Sequence, residues 1–328
     1  MQNSIRIGIV GYGNLGRGVE TSIQKNPDLQ LVGIFTRRAP ETVSPCFNET
    51  QVFHMDELDN FQDKVDVLIL CGGSKDDLPK QTPELASKFN TVDSFDTHAR
   101  IPEFFDAVDA PATANKKTAM ISIGWDPGMF SLNRLFGEAL LPDGETYTFW
   151  GKGLSQGHSD AIRRVNGVKA GVQYTIPSTD AIEKVRSGVR PVLTTKEKHT
   201  RECYVVLEQG ADAEAVKQAI VTMPDYFADY DTTVNFIDEA TLVAEHNTMP
   251  HGGFVIRSGN SSAEQNQVIE FALKLDSNPE FTASVLVAYA RATYRLNQMG
   301  QYGAKTAFDV APGLLSMKSA AQLRKELL

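Results

Sequence analysis

The chain has 328 residues, enough for two domains with full cores. Hydrophobic residues make up 41% and charged residues 22%, an ordinary globular composition, and the net charge of −9 argues against non-specific nucleic-acid binding. Three widely separated cysteines (Cys46, Cys71, Cys203) with no C-x-x-C pair fit a reducing compartment and speak against a disulfide framework or a zinc site. No basic, apolar, small-residue signal pattern opens the chain, and no apolar run reaches bilayer length. The expectation is a cytoplasmic protein without a membrane, nucleic-acid or metal partner.

Ile5 to Val10 is a short apolar run that enters the turn Gly11-Tyr12-Gly13-Asn14-Leu15-Gly16, and helix-compatible sequence leaves it. A G-x-G-x-x-G motif has meaning only in this strand–turn–helix context. Gly11 permits the tight turn, Gly13 lets the backbone approach a pyrophosphate, and Gly16 lets helix pack on strand. The helix N-terminus then offers unpaired N–H groups to phosphate. The helix should end near Lys25, before Asn26-Pro27-Asp28, and Gln30 to Phe35 reads as the second parallel strand. An NAD site places an acid at the end of that strand. Here stand Thr36, Arg37 and Arg38, and two guanidinium groups suit a 2′-phosphate instead. The expected cofactor is NADP.

Asp63 to Gly73 looks like the next buried strand, ending in Cys71-Gly72-Gly73 beside Ser74; small residues there let a flat ring or ribose reach the backbone. Cys71 has no evident base nearby and reads as a packing thiol. Pro79 to Phe89 reads as a helix, Thr91 to Asp96 as a strand with its tip, and Ala119 to Gly128 as one more strand and its tip. Two carboxylates, Asp96 and Asp126, thus follow successive strands into the crevice where such sheets bind ligands. Past Asn133 the βα rhythm is lost. Strands are expected at 146–150, 171–176, 201–207 and 232–237, a helix at 211–222, and a polar glycine-rich loop at 151–160. Met249 to Ile256 reads as a loop feeding a strand, 271–275 as a strand or short helix, and 282–298 as a long helix. This order predicts a Rossmann-type α/β dinucleotide-binding domain at 1–122 and an α+β domain with a mixed sheet at 123–299. The tail at 300–328 is expected to pack back on the first. His158 and His251 lack a metal-type neighbour, and Lys196 to His199, just before Arg201, reads as a solvated charged run.

Four segments are distinctive: V-G-Y-G-N-L-G at Val10–Gly16, G-W-D-P-G-M-F-S at Gly124–Ser131, F-W-G-x-G-L-S-Q-G-H-S-D at Phe149–Asp160, and M-P-H-G-G at Met249–Gly253. Through them the chain resembles the meso-diaminopimelate D-dehydrogenases over essentially its whole length. The resemblance implies reversible NADP-dependent oxidative deamination of meso-2,6-diaminopimelate, releasing ammonia, in lysine and cell-wall precursor synthesis, by a homodimer. It also implies that Tyr12 to Leu15, Thr36 to Arg38, Cys71 to Ser74, Ser94-Phe95-Asp96 and Ile123-Gly124-Trp125-Asp126-Pro127 line the cofactor. Asp96, Asp126, Trp150, Gln156, Gly157, Thr175, Arg201, His251 and Asn278 would hold the substrate, with Asp96 and Asp126 as the catalytic candidates. The competing readings are a dihydrodipicolinate-reductase-like NADP oxidoreductase and a non-catalytic NADPH sensor. The reductase's K-x-D-x-P-S-G-T loop is absent, and the two strand-tip aspartates and the distal ligands would be surplus in a sensor.

Overall fold

The computed structural model describes residues 4–328. It divides into one unit of Met1–Leu132 and Pro279–Leu328 and a second of Asn133–Asn278. The expected divides were 122/123 and 299/300. The first lies later because Ile123 is buried in the core of the first unit with Met129 and Leu132 packed against it. The second lies earlier because the long helix Asn278–Gln298 buries Ala283, Leu286, Val287 and Ala290 there, on the same face as Ile7 and Ile9.

Seven described strands of the first unit form one parallel sheet. Their spatial order is Gly303–Lys305, Thr118–Met120, Asn90–Asp93, Val67–Leu70, Ile5–Val10, Leu29–Thr36, Val52–His54. Chain order reverses on either side of Ile5–Val10, which makes its carboxyl end the switch point where such sheets bind ligands. Successive residues alternate faces, so Val67 and Ile69 join the core containing Ile7 and Ile9, while Leu68 and Leu70 join Val10 and Phe35 on the other. Burial on both faces is why these strands read as unbroken apolar runs. Gly303–Lys305 escapes the sequence reading because three residues with a single small apolar side chain, Ala304, show no period.

Arg291, 2% exposed, lies in the long helix. Its Nε and Nη2 donate to the Asp28 carboxylate at 2.5 and 2.7 Å, Nη2 also to Asn26 Oδ1 at 2.8 Å, and Nη1 to the Leu315 carbonyl at 2.8 Å. One guanidinium therefore ties the turn after the first helix to the C-terminal segment. Arg291→Leu is expected to cost about 3 kcal/mol, since it strands several acceptors at once, and to lower Tm by roughly 6–12 °C in a thermal melt. An unchanged Tm would show the network to be inert.

The second unit carries two sheets. One runs Thr232–Phe236, His199–Leu207, Val168–Pro177, Gly153–Leu154, with the first pair parallel and the others antiparallel. The other is antiparallel, in the order Gln265–Leu275, His251–Ser262, Gly144–Trp150. This is the expected α+β arrangement with a mixed sheet. The segment 151–160 departs from its expected loop: it holds the short strand Gly153–Leu154 and the start of the helix Gln156–Arg163, capped by the Ser155 hydroxyl accepting from the His158 N–H at 3.4 Å. Glycine there hid a serine N-cap.

Candidate active site

In the first unit the glycine turn follows Val10, with Gly11 at φ +87°, where a side chain would be strained. The helix Asn14–Gln24 begins from Gly13, which carries no side-chain cap, and a side chain at Gly13 would meet nothing within 4 Å. A helix that starts on glycine without a side-chain cap has the form of a phosphate-binding helix start. A cleft of about 310 Å³ opens beside the turn, lined by Gly11 to Gly13, Thr36 to Arg38 and Cys71 to Gly73. Arg38 donates from Nη2 to the Tyr12 carbonyl at 2.6 Å, and Arg37 pairs with Asp77 at 2.8 Å. Burial pushes the Cys71 thiol up to about 12, which keeps it an inert packing group.

Met55, Asp77 and Gln81 line the same cleft and were not singled out from sequence. Asp77 and Gln81 are four apart, and one helical turn brings them to the same face. Asp77 Oδ2 accepts from the Gly73 N–H at 3.0 Å, and buried Gln81 Oε1 has no partner. An orphaned acceptor, an uncapped helix start and two arginines fit a phosphorylated dinucleotide.

The remaining cofactor candidates of this unit lie along neighbouring strand tips. Ser74 Oγ accepts from the Asp96 N–H at 3.1 Å, which joins the Cys71–Ser74 and Ser94–Asp96 tips. Ile123 to Pro127 follows Thr118–Met120; its Ile123 N–H donates to the Asp93 carbonyl at 2.8 Å. Asp96 is exposed and Asp126 half-buried. Asn14 and Leu15 open the helix, with Asn14 exposed and Leu15 packed against the core.

In the second unit strand register makes the neighbours. Arg201 stands directly opposite Thr175, and Thr175 opposite Gly153. The Arg201 Nη1 donates to the Thr175 hydroxyl, and the guanidinium lies 3.8 Å from the centre of the Tyr230 ring. Arg201 is 7% exposed, and its Nε has no acceptor. Burial lowers its pKa; Tyr230 and Cys203 oppose this, and no carboxylate is among the groups acting on it. The His251 ring packs on Gly153, where a side chain would collide with it. Met249 links two further candidates: its sulfur accepts from Gln156 Nε2 at 3.0 Å and its carbonyl from the Asn278 N–H at 2.9 Å. Gly157 follows Gln156 in the exposed first turn of its helix.

The run Lys196 to His199 is solvated only in part. His199 begins a strand, is 3% exposed, stacks on Trp150 at 5.4 Å, and accepts the Trp150 N–H on Nε2 at 2.8 Å. The period-2 pattern His199, Arg201, Cys203 held this signal. Burial, then the Arg201 and Lys198 charges, push His199 down to about 4; burial and Arg201 do the same to His158. A depressed histidine favours the folded state above its unfolded pKa, and that contribution is lost as pH falls through the folded value. Stability should therefore drop by up to about 3 kcal/mol per histidine between roughly pH 6.5 and 4. His199→Gln should flatten that limb in urea melts; an unchanged slope would refute the assignment.

Among the described residues no group of three or more metal-ligating side chains occurs, and no helix is long and apolar enough to cross a membrane.

The family model described as the diaminopimelic acid dehydrogenase C-terminal domain matches residues 124–277. A meso-diaminopimelate D-dehydrogenase from Lysinibacillus sphaericus is 66% identical over 326 residues, 99% of this chain and 100% of its own. The structure of the C. glutamicum DAP dehydrogenase in complex with DAP is 50% identical, with a TM-score of 0.92 over 100% of both chains. An engineered D-amino acid dehydrogenase bound to NADP+ is 48% identical, with a TM-score of 0.87 over 99% of this chain and 100% of its own. Full-length identity at this level, on a sheet whose switch point carries the dinucleotide turn, means that the chain belongs to the meso-diaminopimelate D-dehydrogenase family of NADP-dependent amino-acid dehydrogenases.

Proposed function

We propose that this chain reversibly oxidises meso-2,6-diaminopimelate at its D-configured carbon to an imine, which water hydrolyses to L-2-amino-6-oxoheptanedioate and ammonia. The observation that carries the reading is Arg201, a buried cation with an orphaned Nε and no carboxylate acting on it, which calls for an anionic ligand. Its planar fork suits the distal carboxylate of a diacid. Thr175 and His251 add hydrogen bonds at that end, Trp150 walls the carbon chain, Gln156 and Gly157 receive the reacting carboxylate, and Asn278 also contacts the substrate. Asp96 and Asp126 take the reacting amino group. The dinucleotide is held by the glycine turn, Thr36 to Arg38, Cys71 to Ser74, and the tips Ser94–Asp96 and Ile123–Pro127.

NADP+, when bound, supplies the hydride acceptor. What the protein must manage is a proton. The D-carbon can be oxidised only when the nitrogen lone pair is free to form the C=N bond, yet two carboxylates favour the charged ammonium. Either one of them accepts the proton, directly or through water, or the reaction waits for alkaline pH. In both cases kcat/KM for oxidation should rise with pH through the amine's titration, while reductive amination consumes free ammonia. Mixing the protein with NADP+ and meso-diaminopimelate should yield NADPH absorbance. No turnover would overturn the function, and a flat profile from neutral to strongly alkaline pH would overturn the proton argument.

The working form is a cytoplasmic homodimer. Support for the second copy comes from apolar side chains left outside in the second unit: Phe136, 51% exposed, and Leu140, 68% exposed, on one helix, and Val268 and Ile269 on the strand Gln265–Leu275. A monomeric mass by light scattering would remove that reading.

A further inference from the structure

We propose that Asp93 is a positioning residue for the reacting end of the substrate, a single buried carboxylate that sets the spacing of the two strand tips bearing Asp96 and Asp126. Asp93 ends the strand Asn90–Asp93 and is 0% exposed. Its Oδ1 accepts from two backbone N–H groups, Phe95 on its own tip and Ser122 on the next, both at 3.0 Å. Its Oδ2 accepts from the Thr82 hydroxyl at 2.9 Å, and its carbonyl accepts from the Ile123 N–H at 2.8 Å. One residue thus grips the chain next to Asp96 and, four residues upstream of Asp126, the turn leading to it.

That second turn needs gripping. Ser122 sits at φ +57°, in the left-handed region that serine seldom occupies. Such a conformation persists only where its surroundings impose it, and the two bonds to Asp93 flank it. The cost of the arrangement argues that it serves a purpose. No cation faces Asp93; only burial and the three hydrogen bonds to its carboxylate act on it, and burial prevails, pushing its pKa up to about 6. An apolar side chain here would avoid burying a carboxylate but would leave two backbone N–H groups without an acceptor. What leucine or valine cannot do is accept N–H groups from two different tips with one oxygen. Asparagine can: its carbonyl oxygen can take both N–H groups, while its amide faces Thr82 Oγ1, which also accepts.

The inference rests on the reading that Asp96 and Asp126 hold the reacting amine. Asp93→Ser, whose short hydroxyl cannot span both N–H groups, should lower kcat for meso-diaminopimelate roughly 10- to 100-fold, as displacements on the order of 1 Å do. Affinity for adenosine 2′,5′-bisphosphate, which reaches only the glycine-turn end, should stay within about twofold, separating misplacement from misfolding. Asp93→Asn should recover kcat to within about threefold of the parent. Should Asp93→Ser prove insoluble, Thr82→Val, which frees one carboxylate oxygen, should show the same kcat loss in smaller measure. Full kcat in Asp93→Ser, or in Thr82→Val in its place, or no recovery in Asp93→Asn, overturns the proposal. Asp96→Asn and Asp126→Asn are assayed alongside. If they are impaired while Asp93→Ser is not, positioning alone fails; if they are unimpaired, the amine reading fails and takes the proposal with it.

Discussion

Replacing Arg201 with methionine is expected to lower kcat/KM for meso-diaminopimelate roughly 30- to several-thousand-fold. The range follows from the 2–5 kcal/mol lost when one partner of a buried charge pair is truncated. The free protein should show the opposite sign in stability. Without a ligand, Arg201 is a buried cation whose Nε has no acceptor. Removing it relieves a desolvation cost, so Tm should hold or rise. This pairing of lost activity with kept stability distinguishes a ligand-binding arginine from a structural one, and Arg291, with its carboxylate and carbonyl partners, should behave in reverse. Adding Thr175→Val and His251→Leu should turn preference toward simple D-amino acids, because in the proposed assignment all three groups serve only the distal end. A triple variant that still prefers the diacid would show the two ends to be wrongly assigned.

The second large effect concerns the 2′-phosphate. Arg37→Ala with Arg38→Ala should raise the Michaelis constant for NADP about 100-fold or more, since each charge-assisted hydrogen bond contributes about 1.5–3 kcal/mol. The two arginines are not equivalent in the structure. Arg38 also holds the Tyr12 carbonyl within the glycine turn, whereas Arg37 pairs with Asp77. Arg37→Ala alone should therefore spare NAD, while Arg38→Ala should weaken both cofactors, NADP more. Steady-state kinetics with each cofactor reads this directly. Equal effects of the double change on NADP and NAD would return both side chains to an ordinary solvated surface.

Local chemistry makes much of this legible in the sequence. A glycine turn between an apolar strand and a helix means the same thing wherever it occurs, because it depends on residues within one supersecondary unit. The absence of an acid at Thr36, the alternation of strand and helix up to Asn133, and the long motifs around Trp150 and His251 are likewise contiguous. Helix ends and short strands were harder. Ser155 begins a helix inside what reads as a loop, and Gly303–Lys305 joins a sheet nearly two hundred residues downstream of its neighbour Thr118–Met120.

By itself, the sequence determined the dinucleotide turn, the preference for a phosphorylated cofactor and the family, all carried by residues adjacent in the chain. Tertiary structure alone decided that Arg201 is a buried cation without an acid beside it, that His199 is uncharged and stacked on Trp150, and that Asp93 joins two tips. Burial and hydrogen-bond partners depend on which strands lie side by side, and a linear order of residues does not state that.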